Sequence, residues 1–137
     1  RFAESIRPIC LPVDETLQAR VNAMNVFHVT GWGKTEVTSF SDVPLETIVQ
    51  TRNKQECQNS YRRQIVATQL CAGQTGRDSC TGDSGGPLSY VELMNHRQRF
   101  VEFGVVSFGS RNCGDGSPGV YTKVDSYIPW IAYKLAT

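Results

Sequence analysis

The sequence has almost no net charge and no long apolar run. Its 14 Lys and Arg residues oppose 13 Asp and Glu residues, and a net charge of +1 makes neither nucleic acid nor a membrane surface an expected partner. The apolar runs are far shorter than the roughly 20 residues that a membrane-spanning helix needs. The first residues, RFAESIRPICLP, lack the apolar core of a signal peptide. Since the chain also opens without Met, we expect a piece of something longer, although 137 residues suffice for one domain.

Histidine is scarce as well, and the cysteines have no metal-binding spacing. The five cysteines are Cys10, Cys57, Cys71, Cys80 and Cys113. No CxxC pair occurs, and His28 and His96 lie far from the cysteines along the chain, which argues against zinc. We therefore expect no metal and no cofactor. A disulfide framework fits better and implies an oxidising compartment, but an odd count leaves one cysteine free or paired outside the chain.

Turn residues divide the chain into short strands that precede one helix. Strands are predicted within residues 25–33, 44–51, 69–72, 88–93, 100–108 and 119–124, and a short helical turn within residues 54–61. The tail, residues 126–135, is predicted to be helical, with Ser126 as its cap and Pro129 in its first turn. Two prolines predict an extended connector over residues 7–12. The pattern indicates an all-β domain, either a small antiparallel barrel or a sandwich.

The stretch DSCTGDSGGPL, residues 78–88, is the strongest functional motif. It places Ser84 in a G-x-S-x-G pattern, which is also the nucleophile elbow of α/β-hydrolases. That elbow needs a helix after the serine, and Gly-Gly-Pro-Leu would not start one. Alternatively, Gly82 lets its own N–H and that of Ser84 point at one spot and form an oxyanion hole, in which one donor is worth about 3 kcal/mol. A glycine-rich turn with a merely solvated serine stays open for the bare pattern.

With its flanking residues, this stretch resembles the nucleophile loop of the trypsin-like branch of the chymotrypsin family of serine proteases. The resemblance covers essentially the whole chain and extends to VTGWG (29–33), QLCAG (69–73), VVSFGSRNCG (105–114), PGVYTKV (118–124) and YIPWI (127–131). It implies the C-terminal six-stranded antiparallel barrel of the two-barrel chymotrypsin-like fold, with a C-terminal helix, over residues 13–137. Residues 1–12 would then be the inter-barrel linker.

The resemblance assigns roles around Ser84. Ser84 would be the nucleophile, and the Gly82 and Ser84 amides would form the oxyanion hole. Asp83 would pair with the new α-amino group that activation cleavage creates. Asp78 would form the floor of the primary specificity pocket and select polypeptides with Arg or Lys before the scissile bond, because an unpaired carboxylate there is costly. Ser79 would add a hydrogen bond.

Further substrate-binding positions follow from the same resemblance. Ser107, Phe108 and Gly109 match the strand that pairs with the substrate backbone, which is a form of β-augmentation. Phe108 stands where the family usually has Trp, so the aromatic site is narrower. Gly109 and Gly119 match wall positions at which the absence of a side chain leaves room for a long one.

The resemblance also pairs Cys57 with Cys71 and Cys80 with Cys113. Each closed loop would contribute roughly 3 kcal/mol or a little more in the chain-entropy model. Cys10 is left over. In many family members a cysteine in an ICLP setting bridges to the propeptide, and a buried free thiol is the alternative.

Other family features are missing. The catalytic histidine and its aspartate belong to the first half of the family's fold, and neither has a counterpart here. His28 and His96 lack the family's flanking alanine and cysteine, and we expect both to be structural or solvated. A disulfide that is common in the family joins two positions that are occupied here by Phe27 and Tyr90. The loss of both cysteines predicts an apolar contact between these residues. Clip-domain proteases of arthropods often lack this disulfide and have a cysteine like Cys10 that bridges to the propeptide.

The leading hypothesis is a secreted, zymogen-type serine endopeptidase that cuts after Arg or Lys through an acyl-enzyme. Its general base would lie outside this chain, so the chain alone is expected to be inactive. Expected partners are the N-terminal protease half, the propeptide and protein inhibitors. One alternative is a non-catalytic homologue that acts as a binding or cofactor protein. A disulfide-stapled β domain with no catalytic role is the third interpretation.

Overall fold

Six antiparallel strands close into a barrel in the computed structural model, which describes residues 3, 5–35, 37–73, 80 and 82–137. In chain order the elements are α1 (Glu15–Ala23), β1 (Val26–Gly31), β2 (Leu45–Thr51), α2 (Lys54–Tyr61), β3 (Gln69–Gly73), β4 (Pro87–Met94), β5 (Arg97–Phe108), β6 (Gly119–Lys123), a 3-10 helix (Val124–Tyr127) and α3 (Ile128–Ala136). The order around the barrel is β1-β2-β3-β6-β5-β4. The antiparallel barrel with a terminal helix is therefore confirmed.

Alternate strand residues fill the barrel interior. In β1, Phe27 and Val29 are buried whereas the residues between them are half-buried, as expected for a strand with one face on the core. The main cluster contains Val21, Met24, Phe27, Val29, Val49, Ala72, Leu88, Val101, Phe103, Val106 and Tyr121. Val21 comes from α1, a helix that the sequence did not predict. Asp14 caps this helix, since its Oδ1 accepts a hydrogen bond of 2.8 Å from the Leu17 N–H.

The hairpin of β4 and β5 is longer than the sequence predicted. The predicted strands within residues 88–93 and 100–108 leave residues 94–99 between them, but Met94 pairs with Arg97 and the turn consists of Asn95 and His96 alone. Both turn residues have positive φ, 50° and 62°. A two-residue turn of this kind matches the right-handed twist of the strands, so pairing continues to its edge despite the polar sequence.

The terminal helix differs from prediction at its start. Ser126 does not cap α3, because it lies inside the preceding 3-10 helix and α3 has no side-chain cap. The backbone of that 3-10 helix satisfies the first donor instead, since the Ile128 N–H bonds the Asp125 carbonyl. Pro129 lies in the first turn, as predicted. Within the described part of the chain, no helix has the length and apolar character to cross a bilayer.

Two disulfides tie loops to the barrel. Cys57 of α2 is bonded to Cys71 of β3, with their Cα atoms 6.1 Å apart, and Cys80 is bonded to Cys113, with 5.5 Å between Cα atoms. Both pairs are those implied by the resemblance. Cys10 is half-buried and is a free thiol in the structure.

The predicted connector, residues 7–12, contains no regular element but is attached to β5. The Cys10 N–H donates to the Phe100 carbonyl at 3.2 Å, and the Glu102 N–H donates to the Cys10 carbonyl at 2.9 Å. This makes an isolated parallel bridge between Cys10 and Val101. The free thiol therefore sits on a backbone segment whose position is set by the barrel.

The apolar contact predicted at the missing family bridge takes a different form. Phe27 packs its ring against Phe103, with centroids 6.1 Å apart, and Tyr90 packs its ring against His28 at 5.6 Å. Phe27 and Tyr90 belong to one core cluster but are not ring partners of each other.

Candidate active site

The loop that carries Ser84 is built from two successive backbone turns. The Asp83 N–H donates to the Cys80 carbonyl at 2.9 Å, and the Gly86 N–H donates to the Asp83 carbonyl at 2.8 Å. Between these turns the Ser84 side chain is exposed. The serine hydroxyl is thus presented to solvent by a segment whose own backbone is internally bonded.

Two further restraints attach this loop to the barrel. The Gly85 N–H donates to the Val106 carbonyl, and the Val106 N–H donates to the Gly86 carbonyl, both at 2.9 Å. The Cys80–Cys113 bridge joins the start of the loop to the segment after β5. The reactive loop is therefore held against the end of β5, where Ser107 begins the predicted substrate-pairing strand.

Two main-chain donors of this loop have no hydrogen-bond partner among the residues that the structure describes. Asp83 donates its N–H within the turn, whereas no hydrogen bond among the described residues uses the N–H of Gly82 or of Ser84. Gly82 has φ 99°, and a Cβ there would lie 3.1 Å from the Gly33 Cα. Only glycine adopts this conformation without strain. The arrangement can offer two free N–H groups to a developing oxyanion beside the serine.

Two backbone N–H groups of the described residues donate to the Asp83 carboxylate. The Gly33 N–H donates to Oδ1 at 2.8 Å and the Cys80 N–H donates to Oδ2 at 2.9 Å. A Cβ on Gly31 would lie 2.0 Å from Oδ1, so the side chain occupies the space that glycine leaves. No Lys or Arg among the described residues forms an ion pair with it. A cavity of about 380 Å³ opens beside Asp83, also lined by Lys34.

The expected substrate-binding positions fall into two groups. Asp78 and Ser79 lie outside the described residues. Gly109 and Gly119 lie side by side, because a Cβ on Gly109 would be 3.7 Å from the Gly119 Cα. Two separate parts of the chain thus meet through residues that have no side chains of their own, with the Tyr61 hydroxyl 3.8 Å from the position of a Cβ on Gly109.

The end of β5 has one free edge. Its pairing with β4 ends where Pro87 meets Val105, while pairing with β6 continues to Phe108 opposite Val120. A β-bulge falls between Val106 and Phe108, and the intervening Ser107 is exposed. No described strand pairs with Ser107 on the β4 side. Unpaired strand edges next to bulges are sites at which an extended peptide can add as a further strand.

Neither histidine is placed to serve as a base for Ser84. His28 Nδ1 pairs with the Glu46 carboxylate, and its ring contacts Phe100 at 6.1 Å. His96 is exposed in the turn between β4 and β5. Among the described residues no hydrogen bond joins either ring to Ser84. Both therefore agree with the structural or solvated state expected for them.

An aromatic and cationic cluster beside β5 was missed by sequence reasoning. The Tyr61 ring meets the Phe108 ring edge-on, with centroids 5.4 Å apart, and the Arg63 guanidinium lies 5.0 Å from the Phe108 centroid. The Tyr61 hydroxyl donates to the Pro118 carbonyl. No local motif marks these residues, because their contact depends on how the end of α2 packs against strands far along the chain.

Comparison with known proteins identifies the family. The family model described as Trypsin matches residues 1–131. The chain belongs to the trypsin family. Serine protease grass of Drosophila melanogaster is 42% identical over 140 residues, an alignment that covers 99% of this chain and 37% of the relative. CLIP domain-containing serine protease HP8 of Bombyx mori is 44% identical over 140 residues, covering 98% of this chain and 37% of the relative.

A solved structure shows the same architecture. The crystal structure of the Drosophila Grass clip serine protease of the Toll pathway superimposes with a TM-score of 0.86 at 40% identity, covering 99% of this chain and 40% of that chain. The resemblance to trypsin-like proteases, the likeness to clip-domain members and the chymotrypsin-like fold are thereby confirmed. This trypsin-family chain spans well under half the length of the curated relatives it matches.

Proposed function

We propose that this chain is the half of a serine endopeptidase that carries the nucleophile, the oxyanion hole and the specificity pocket. The observation that carries the proposal is the pair of N–H groups, on Gly82 and Ser84, that have no partner among the described residues and lie beside an exposed hydroxyl on a restrained loop. Nucleophile and oxyanion donors at one point are the requirement for acyl transfer.

The reaction follows from this geometry. The Ser84 Oγ attacks the carbonyl carbon of the scissile amide while a histidine from a preceding segment takes its proton. The carbonyl oxygen becomes an oxyanion held by the Gly82 and Ser84 amides. The amine leaves with the proton from the histidine and an acyl-enzyme remains. Water then attacks the ester, which releases the carboxylic acid and restores the Ser84 hydroxyl.

The substrate class rests on Asp78 together with the open wall. Asp78 lies in the Asp78-to-Leu88 stretch, six residues before Ser84, where the family has the floor of its primary pocket. A carboxylate in a narrow pocket favours a cationic side chain. The adjacency of Gly109 and Gly119, with a Cβ-to-Cα separation of 3.7 Å, supports a passage for a long side chain. We therefore infer cleavage after Arg or Lys, with Ser79 as a further hydrogen-bonding group.

Activation would act through Asp83. Its carboxylate has two backbone donors but no cationic partner among the described residues, and a cavity of about 380 Å³ lies beside it. An α-amino group released by cleavage of a zymogen would neutralise this charge. Since a partly buried unpaired charge is unfavourable, the ion pair would stabilise the loop that contains both oxyanion donors.

The remaining half of the enzyme would cover surfaces that this chain exposes. Helix α3 has no buried residue, and its Trp130, Tyr133 and Leu135 side chains are 59%, 64% and 82% exposed. A partner barrel, with residues 1–12 as the linker to the domain of residues 13–137, would bury this apolar surface. The half-buried Cys10 thiol would bridge to the propeptide, and the disulfides support a secreted protein. Protein inhibitors would occupy the same substrate edge.

A fluorophosphonate probe tests the function. The full-length protein that contains this segment, after proteolytic activation, should be labelled at Ser84 and should cleave arginyl and lysyl peptides but not their glutaminyl counterparts. A Ser84→Ala variant is the control and should show neither reaction. The chain without its preceding half should be unlabelled. Absence of labelling in the activated full-length protein would instead support a non-catalytic homologue that binds partners.

A further inference from the structure

The guanidinium of Arg63 lies over an aromatic ring at the substrate edge. Its Cζ is 5.0 Å from the centroid of Phe108, a distance at which a cation is attracted to the face of the ring. Phe108 is half-buried and packs against the cluster that contains the Cys57–Cys71 bridge, while Arg63 is exposed. The Phe108 ring is therefore packed against the disulfide cluster, whereas the cation that contacts the ring is exposed to solvent.

The backbone before Arg63 is also fixed. Helix α2 ends at Tyr61, whose hydroxyl bonds the Pro118 carbonyl, and Arg62 follows in the left-handed region with φ 48°. The Cys57–Cys71 bridge anchors the same helix to β3. Because the chain reverses direction at a restrained helix end, the position of Arg63 is set by the fold as well as by its side-chain contact.

Arg63 keeps hydrogen-bonding capacity for a ligand. A guanidinium has five N–H donors, and a contact with a ring face uses none of them along their bond directions. No carboxylate among the described residues pairs with Arg63. The group is a planar cation that rests against a ring and has no carboxylate partner among the residues described, which suits two-pronged recognition of a carboxylate.

Strand geometry indicates which substrate residue reaches Arg63. β5 runs away from the Ser84 loop as it passes from Val106 to Phe108, so an antiparallel substrate strand places its upstream residues toward Gly109. If the basic residue faces Ser107, the residues one and three positions upstream share the face of Phe108, since side chains alternate. The residue two positions upstream points the other way.

We propose that Arg63 is a specificity-determining residue that selects Asp or Glu three positions upstream of the basic residue in the substrate. This inference rests on the proposed endopeptidase function and adds a second sequence requirement to its proposed substrates. Phe108 supplies the apolar surface on which the stem of the acidic side chain packs, and Arg63 receives the carboxylate. We assign the more distant of the two positions to Arg63, because Tyr61, two residues before Arg63 in sequence, lies toward the upstream end of the edge: its hydroxyl would be 3.8 Å from a Cβ on Gly109.

Matched peptides test the proposal in the activated full-length protein. One pair of fluorogenic arginyl peptides differs only by Glu or Gln three positions upstream of the Arg, and a second pair differs only two positions upstream. We expect kcat/KM to favour Glu about threefold to fivefold in the first pair, the range of a solvent-accessible ion pair, and to be equal in the second. The preference should fall at raised ionic strength.

Two variants with the same change in charge separate a local contact from a general field. Arg63→Gln should bring the Glu-to-Gln ratio of the first pair to about one, while Arg62→Gln should leave it unchanged, because Arg62 is the adjacent exposed cation without the ring contact. Equal cleavage of Glu and Gln peptides by the wild type, or a preference that survives in Arg63→Gln, would overturn the role of Arg63 while endopeptidase activity stands. Failure to cleave any arginyl peptide would contradict the proposed function itself.

Discussion

The two sides of the candidate site, around Ser84 and around Phe108, are formed by different kinds of group. Around Ser84 the contacts are made by main-chain groups and by glycines, such as Gly31 and Gly82, at which an added Cβ would crowd its neighbours. Around Phe108 the contacts are made by side chains, with the Tyr61 ring edge-on to Phe108 and the exposed Arg63 guanidinium against the Phe108 ring. The Ser84 side is therefore formed by the backbone, whereas the Phe108 side is formed by side chains that can be substituted individually.

This difference separates chemistry from selection. An oxyanion develops at one point, so its donors must be held to a fraction of an ångström, and backbone amides in a bonded turn meet that need. Substrate side chains vary, and a wall of side chains can be altered one residue at a time without moving the backbone. We therefore expect substitutions on the Ser84 side to abolish catalysis and those on the Phe108 side to change which peptides are cut.

The largest effect is expected from Gly82→Ala. A Cβ at φ 99° would be strained and would lie 3.1 Å from the Gly33 Cα and 3.0 Å from Phe40 Cε1, so we expect the loop to adjust and the Gly82 amide to leave the position proposed for oxyanion binding. Loss of one donor lowers kcat by about 100-fold to 1000-fold. Steady-state kinetics on an arginyl peptide in the activated full-length protein measures this.

Gly85→Ala is the matched control for that substitution. Gly85 also has positive φ, 83°, but a Cβ there has no neighbour within 4 Å. Both variants carry the cost of a left-handed alanine, about 1 kcal/mol in stability, and only Gly82→Ala should lose catalysis as well. Equal kcat values for the two variants would show that strain in the loop, and not the position of the Gly82 donor, limits the reaction.

A smaller loss is expected from Gly31→Ala. The added Cβ would lie 2.0 Å from the Asp83 Oδ1, which would displace a carboxylate that accepts a 2.8 Å hydrogen bond from Gly33. An unsatisfied buried group costs roughly 1–3 kcal/mol, which corresponds to about a tenfold to hundredfold fall in kcat/KM if the loop shifts with Asp83. Fluorophosphonate labelling rates should fall in parallel. Full activity in this variant would mean that catalysis tolerates movement of Asp83.

What the sequence predicted well is local. Helix α2 occupies the predicted range of residues 54–61, and the strands fall where turn residues bound β-branched segments. The Ser84 loop is local in the same sense, because the proposed nucleophile and both proposed oxyanion donors lie within three consecutive residues. The G-x-S-x-G pattern and its neighbours therefore lead to that prediction, which stays to be tested, without knowledge of any distant contact.

Most structural features that the sequence did not predict depend on contacts between residues that are far apart in the chain. The Asp83 carboxylate meets the Gly33 N–H across 50 positions of sequence, and Arg63 reaches Phe108 only because α2 and β5 are brought together. Helix α1 was missed because few of its residues are apolar, and only Leu17 and Val21 are buried. The failure of Ser126 as a cap has a local cause, since a 3-10 turn of the backbone replaced the side chain. Only the contacts between distant segments require the register of the barrel, which no short pattern contains.

A graded effect is expected on the Phe108 side. A Cβ on Gly109 would make ordinary contacts, 3.7 Å from the Gly119 Cα and 3.8 Å from the Tyr61 hydroxyl, so Gly109→Ala should fold normally. Gly109→Val would add two methyl groups to the wall and should raise KM for arginyl peptides about tenfold or more, with a smaller change in kcat. The ratio of KM effects between Ala and Val measures how much free space lies beyond the wall. A loss of kcat as large as that of Gly82→Ala would remove the distinction between the two sides.

The smallest effect concerns Glu102, which lies on the same strand as Phe108 but away from the site. Burial raises the pKa of the Glu102 carboxyl above its ordinary value of 4.5, so the folded state favours the protonated form. Its contribution to stability is therefore complete below pH 4.5 and is lost as the pH rises through the raised pKa. Glu102→Gln should raise the melting temperature at neutral pH but not at low pH, as measured by thermal unfolding of the full-length protein. Because the change alters no backbone contact, kcat/KM for an arginyl peptide should stay at the wild-type value at both pH values after correction for the unfolded fraction. A Glu102→Gln variant that lost activity while folded would show that β5 transmits side-chain changes to the Ser84 loop, contrary to a scaffold held by main-chain bonds.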